Sequence, residues 1–251
     1  MPKLIILGSA NAIPDREHEN THMVIVGKSH TVLIDCVGNP LVRLEAAGVD
    51  FRTLTDLVLT HFHPDHVSGV PSLLMNMWLM GHRTPILVHG LAYTLDRVES
   101  LMEAYNYKEW PGFFPVSYHR VPEEEFALVL QNEEFNILAS PVQHFIPTIG
   151  LAVNFTASRK RLAYSCDTEP CPAVFRLANN ADVLIHEASG ALPGHSSAGQ
   201  AAEVARQGEV GALYLIHYPT GKFATGDPVA EARQHYDGPV GLATDFMNLE
   251  F

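Results

Sequence analysis

The segment Thr60-His61-Phe62-His63-Pro64-Asp65-His66 constrains this chain more than any other feature. Its histidine cluster, from His61, directly follows residues 57–60, a short apolar run that reads as a buried strand. Side chains alternate along an extended chain, so His61 and His63 point to the same side. Past Pro64 the chain turns, and Asp65 and His66 open the next helix and face back toward the same point. Four ligand-type side chains then converge within six residues. Imidazole combined with carboxylate suits Zn, Mn or Fe.

Other candidates stand just past apolar runs: His144 after 139–142, Asp167 after 162–166 and His217 after 213–216. Each alone reads as an ordinary loop residue. With the 60–66 cluster they become a set, because sites in layered α/β proteins collect at strand ends.

The rest of the chain gives that set a frame. Residues 4–7, 23–26, 32–34, 86–89 and 183–185 read as strands, as do the β-type runs 116–121, 126–131, 135–140, 150–156 and 161–166. Helices are expected over 40–47, 67–80 and 91–105. Ser197 and Gln200 form a capping-box pattern before a helix that stops at Gly208. A strand at 213–216, a helix at 228–236 and a strand at 240–243 close the chain. Strands with helices between and after them imply sheets covered by helices. Periodicity leaves the number of sheets open. No repeat or linker divides the chain, so one domain over 1–251 is expected.

Composition narrows the function. The chain has 251 residues, 47% hydrophobic and 18% charged, enough apolar content for a sizeable core. Its 16 Lys and Arg against 28 Asp and Glu, a net charge of -12, argue against a whole-surface nucleic-acid binder. A local basic patch remains open. Cys36, Cys166 and Cys171 are too few for a disulfide scaffold and contain no paired metal motif, and Cys166 and Cys171 read as buried free thiols. A reducing, cytoplasmic setting is expected. No apolar run reaches the roughly 18 residues of a membrane span. Residues 3–7 read as a first strand rather than a signal peptide.

The assembled motifs resemble the metallo-β-lactamase superfamily in its ribonuclease Z-like branch. The His-x-His-x-Asp-His motif at 61–66 marks the superfamily, and His186-Glu187-Ala188-Ser189 with His195-Ser196-Ser197 marks the branch. Leu7-Gly8-Ser9, Leu33-Ile34-Asp35-Cys36, Pro141-Val142-Gln143-His144, Tyr164-Ser165-Cys166-Asp167-Thr168 and Ile216-His217-Tyr218 extend the likeness over nearly the whole chain. The resemblance implies an α/β fold, an αββα sandwich of two mixed sheets flanked by helices, with two divalent metal ions between the sheet edges. Zinc is expected, with manganese or iron as alternatives. By the resemblance, His61, His63 and His144 hold one metal, Asp65, His66 and His217 hold the second, and Asp167 bridges them. Two cations so held sit ~3.5–4 Å apart and activate a shared water. Asp35 would orient a ligand histidine.

Catalytic roles fall, by the same resemblance, to Asp65, Glu187 and His195. A carboxylate that keeps an imidazole protonated lets it stabilise transition-state charge or protonate a leaving oxygen. Ser196 and Ser197 place His195 just before a helix N-terminus, where anions are favoured. His186 reads as packed. His18, His22, His30, His82, His89, His119 and His235 read as ordinary, with His22 in a loop able to approach the site.

The chain also departs from the branch. Its tRNA 3′-processing members carry a long arm between the third-motif histidine and the bridging aspartate. Here residues 145–166 leave room for two strands and a turn. The branch's Ser-x-Arg-Tyr pattern after the last histidine is absent, since Tyr218-Pro219-Thr220-Gly221 follows His217. The expected substrate is therefore a small phosphodiester, cyclic or nucleotide-like, and long nucleic acid is disfavoured. The alternatives are tRNA 3′ processing, or thioester, lactone or sulfate-ester hydrolysis on the same scaffold. A metal-binding protein without catalysis is disfavoured by the complete ligand set. An electron-transfer di-iron relative is disfavoured because that branch has a glutamate where His63 stands.

Residues 73–80 are apolar almost all round, as in a deeply buried helix or a subunit interface. The resemblance favours a homodimer through this region. Tyr105, Tyr107, Trp110, Phe113 and Phe114 form an aromatic loop over 105–118 that suits either base stacking or packing at a dimer edge.

Overall fold

Both faces of the central strands are apolar, so these strands need cover on both sides. A computed structural model describes all 251 residues and provides that cover. The first sheet contains β1 (Lys3–Gly8), β2 (His22–Val26), β3 (Thr31–Ile34), β4 (Leu54–Val58), β5 (Ile86–Gly90) and β6 (Val116–Arg120). The second contains β7 (Ala127–Gln131), β8 (Phe135–Val142), β9 (Thr148–Phe155), β10 (Arg161–Tyr164), β11 (Val183–Glu187), β12 (Leu213–Ile216) and β13 (Val240–Leu242). A short β14 (Asn248–Glu250) returns to pair antiparallel with β1 at the edge of the first sheet.

Alternation along the strands builds the layers. Leu4, Ile6, Met23, Ile25, Val32, Ile34 and Val58 face Phe135, Ile137, Leu151, Val153, Leu162 and Ile185 in a core between the sheets. Ile5, Leu7, Val24, Leu33 and Leu57 face outward, into a second core under helices. Those helices are α1 (Pro40–Ala46), α2 (Pro64–Val67), α3 (Val70–Leu79) and α4 (Ala92–Ala104). On the far side α5 (Pro172–Ala178), α6 (Ala198–Gln207) and α7 (Pro228–Ala232) cover the second sheet over Ala163, Leu184, Leu213 and Leu215. The architecture is the expected αββα sandwich, with both sheets mixed.

Topology places the site. β3 to β6 run parallel to one another, and so do β10 to β13. Helical crossovers separate these parallel strands, so their carboxyl ends open together on one edge. Asp35, the 60–66 segment, Asp167, Glu187 and His217 all stand at or just past those ends. A bond from the Ile149 amide to the Thr60 carbonyl (3.1 Å) ties the two sheets together at this edge.

Several elements differ from expectation. The helix expected over 67–80 is two, α2 and α3, broken at Ser68 and Gly69. The Gly69 amide bonds the Cys36 carbonyl (2.8 Å), and a Cβ there would lie 2.9 Å from the Val37 backbone. The helix expected over 228–236 stops at Ala232, and the buried Tyr236 instead bonds the Val210 carbonyl. α5 and β14 were not anticipated. The capping box of α6 is present as expected, with both reciprocal bonds formed.

On α3, Val70, Leu73, Leu74 and Met77 are buried, while Met75 and Leu79 at its outer face, and Met80 at its end, are exposed. Trp78 stacks on Trp110 at 5.1 Å and donates to the Pro111 carbonyl, so the aromatic loop packs on α3. No helix is long and apolar enough to cross a membrane. All three cysteines are buried and free.

Candidate metal centre

The residues expected at the site come together. His61 Nε2 lies 3.1 Å from His63 Nδ1, which in turn lies 3.2 Å from His144 Nε2. Nearby, His217 Nε2 is 3.1 Å and His66 Nε2 3.6 Å from the same oxygen of Asp167. Asp65 completes this second group, at 3.7 Å from His66 and 3.9 Å from His217. In each group the ligand atoms lie within 4.8 Å of one another. Asp167 stands between the groups, 3.9 Å from His61.

Strand ends aim these side chains. His63 is the extended residue before α2, and Pro64 takes the first helical position, where its missing N–H costs nothing. Asp35, Cys166 and His217 each have φ near +55°. That region is sparsely populated by non-glycine residues, and such strain collects at functional sites.

The donor set fits divalent cations on two observations. Three imidazole nitrogens converge at 3.1–3.2 Å, an arrangement that a shared cation would satisfy through their lone pairs. Buried His66 Nε2 and Asp167 Oδ1 have no hydrogen-bond partner, which is rare unless another species satisfies them. Burial pushes His61, His63 and His144 below the ordinary histidine pKa, toward the neutral form that coordinates. Burial opposes charge on Asp167, yet His217 and His66 hold it well below the usual carboxylate range.

The far nitrogen of most of these imidazoles is also engaged. Asp35 lies 2.8 Å from His66 Nδ1 and accepts from the amide and hydroxyl of Thr60. His61 Nδ1 is 3.1 Å from the Thr60 hydroxyl, and His217 Nδ1 is 3.1 Å from that of Thr21. His144 Nδ1 donates to the Gly194 carbonyl at 2.7 Å. Asp35 thus stands against a candidate ligand histidine. Thr21 and Gly194 carry no sequence signal, because their partners are far away in the chain.

Glu187 and His195 form the second feature. His195 Nδ1 lies 3.0 Å from Glu187 Oε1. The Glu187 carboxylate is fully buried and also accepts the backbone N–H groups of Thr168, Ser189 and Ser196. Burial pushes its pKa up and the His195 bond pulls against that shift. Four N–H donors call for an ionised acceptor. Burial works against charge on His195, but the bond and charge of Glu187 outweigh it and raise its pKa. A ring nitrogen of His195 also lies within 4.8 Å of ligand atoms of His144 and Asp167. His195 therefore faces the candidate metal groups while Glu187 holds it from behind. His186 is buried as expected, with Nδ1 on the Glu187 carbonyl. His22 is buried at the start of β2 and belongs to neither ligand group. Phe145 and Leu192, both exposed, rim the site beside His144 and the turn leading to His195.

Known proteins resemble this chain in sequence and in fold. The family model described as "Beta-lactamase superfamily domain" matches residues 30–218. The ribonuclease Z of Methanothermobacter thermautotrophicus is 23% identical over 307 positions, covering 100% of this chain and 97% of that protein. Among solved structures, the metallo-β-lactamase fold protein YhfI from Bacillus subtilis superposes with a TM-score of 0.83 at 18% identity, covering 100% and 99% of the two chains. The short form of human tRNase Z (ELAC1) superposes with a TM-score of 0.80 at 24% identity, covering 99% and 98%. These two likenesses concern the fold. The chain belongs to the metallo-β-lactamase superfamily and is a metal-dependent hydrolase of the ribonuclease Z-like type.

Proposed function

We propose that this hydrolase is a dinuclear phosphodiesterase. The observation that carries the reading is the Glu187–His195 pair, an imidazole held by a buried carboxylate and fixed beside two converging ligand groups. In this reading His61, His63 and His144 would hold one divalent cation, Asp65, His66 and His217 would hold the other, and Asp167 would be shared between them. The nitrogen-rich donor set suits zinc, with manganese or iron as alternatives. Cations bound there supply Lewis acidity and a water of lowered pKa.

The protein's own groups do the rest. Asp35, Thr60, Thr21 and the Gly194 carbonyl keep the imidazoles oriented. The Asp65 side chain is 15% exposed against 2% for Asp167, and it receives a proton at its carboxylate as water attacks. His195 donates from its free ring nitrogen to the developing charge on a phosphoryl or leaving oxygen, and Glu187 keeps that proton in place.

For the substrate, the named relatives favour RNA, with tRNA 3′ processing as the first reading. This runs against the expectation that long nucleic acid is disfavoured, and favours the alternative kept beside it. A small phosphodiester, cyclic or nucleotide-like, is the second reading, and two observations favour it. Only the β9–β10 hairpin and its flanking turns join His144 to Asp167. The alignment with the Methanothermobacter enzyme also needs 307 positions for the 251 residues here, so that relative carries segments with no counterpart. A cytoplasmic setting and a homodimer through the exposed face of α3 and Met80 complete the proposal.

The deciding experiment offers metal-loaded protein a precursor tRNA with a 3′ trailer and, separately, bis(p-nitrophenyl) phosphate. Efficient trailer removal at physiological salt supports the RNA reading. Hydrolysis of the small diester alone supports the second. Cleavage of neither overturns phosphodiesterase function.

A further inference from the structure

We propose that Glu169 is a positioning residue whose carboxylate clamps Gly194, so that this one residue both orients His144 and places His195. The inference rests on the ligand role assigned to His144 above, and it holds whichever substrate is cleaved.

Glu169 lies two residues past Asp167 and is half-buried. Its Oε1 accepts the Gly194 amide at 2.7 Å. Its Oε2 accepts from Gln143 Nε2 at 3.2 Å, and its own amide donates to the Gln143 carbonyl at 2.9 Å. Gln143 directly precedes His144. One side chain thus joins the end of β8, the loop carrying Asp167 and the turn leading to His195.

Gly194 is where these connections meet. Its amide goes to Glu169, and its carbonyl accepts His144 Nδ1–H at 2.7 Å. That bond sets the tautomer in which His144 Nε2 presents a lone pair toward His61 and His63. Gly194 has φ +73°, and a Cβ there would lie 3.0 Å from His144 Nδ1 and from the Phe145 ring. The position therefore requires glycine, the residue least able to hold a conformation by itself. The neighbouring residues Ala191, Leu192 and Pro193 are exposed and give little support. On the other side Glu187 holds His195 Nδ1 and the Ser196 amide. Two carboxylates, Glu169 and Glu187, thus frame the turn from either end.

Two conservative variants separate hydrogen bonding from charge. Glu169→Gln keeps an acceptor oxygen at the same reach without the charge, whereas Glu169→Asp keeps the charge and withdraws it by one methylene. Zinc affinity is read by chelator competition, and Gly194 amide exchange is read on the metal-free protein. Glu169→Asp should lose Gly194 protection and weaken one of the two zinc sites about 10–100-fold, the usual cost of removing an outer partner of a ligand. Glu169→Gln should stay within about threefold of wild type in both readouts, against that scale. Glu169→Ala should match Glu169→Asp. Wild-type zinc affinity and Gly194 protection in Glu169→Asp would overturn the proposal. So would a loss in Glu169→Gln as large as that in Glu169→Asp, since charge would then be the cause.

Discussion

His195 Nδ1 lies 3.0 Å from Glu187 Oε1, and that carboxylate, fully buried, takes three backbone N–H groups besides. The imidazole is therefore held by a group that cannot itself rearrange without stranding several donors. If the two act as a unit, Glu187→Ala and His195→Ala should each keep their metals and lose roughly 10²–10⁴-fold in turnover, the scale of general acid–base help. The double variant should be little worse than either single one. Steady-state kinetics at matched metal content checks this, and additive losses would show independent roles.

Metal content tests the ligand assignment. Elemental analysis of wild-type protein should approach two equivalents of Zn, Mn or Fe per chain. His61→Ala combined with His63→Ala removes two of the three converging nitrogens in one group. Metal and activity should fall together, and full metal retention in the double variant would exclude the assignment.

Asp35 offers a subtler test of the same centre. Asparagine tolerates the left-handed backbone at this position and still accepts the Thr60 bonds, but it lacks the charge facing His66. Asp35→Asn should keep the fold by circular dichroism and lose about 10–100-fold in affinity for one metal. Unchanged affinity at both sites would mean that Asp35 only shapes its turn.

His186 gives a pH signature outside the ligand groups. It is fully buried, its Nε2 has no partner, and burial lowers its pKa to about 4. Above the unfolded value near 6.5 it is neutral in both states, so nothing is lost. As pH falls below that value the unfolded chain takes the proton first, and stability declines until about pH 4. Between pH 7 and 4.5 wild type should lose roughly 2–3 kcal/mol more than His186→Gln, on the linkage scale of ~1.4 kcal/mol per pKa unit. Urea unfolding of the metal-free proteins at both pH values measures the difference, and equal losses would refute the assignment.

The centre was legible because its residues stand next to strong local signals. His61, His63, Asp65 and His66 are neighbours in the chain. His144, Asp167 and His217 each follow an apolar run, and the resemblance joined them into one site. The misjudged positions answer to distant partners instead. Gly69 leaves a helical pattern because its amide bonds the distant Cys36 carbonyl instead of a helical one. Tyr236 leaves a helical pattern for the Val210 carbonyl, 26 residues earlier. α5 has seven residues and β14 three, too few for periodicity to register. Glu169 bonds an amide 25 residues later, a relation that no local pattern encodes.

The central claim is phosphodiester chemistry, and the most direct test is a matched comparison at equal metal loading. Bis(p-nitrophenyl) phosphate, a thioester, a lactone and a sulfate ester are offered to the same preparation and kcat/KM is measured for each. Two cations and a protonated His195 would complement the charge of a phosphodiester transition state better than the single oxyanion of a thioester. The diester should therefore be the preferred substrate, and its advantage should shrink in His195→Ala. Preference for the thioester, lactone or sulfate ester in the wild-type protein would contradict the account.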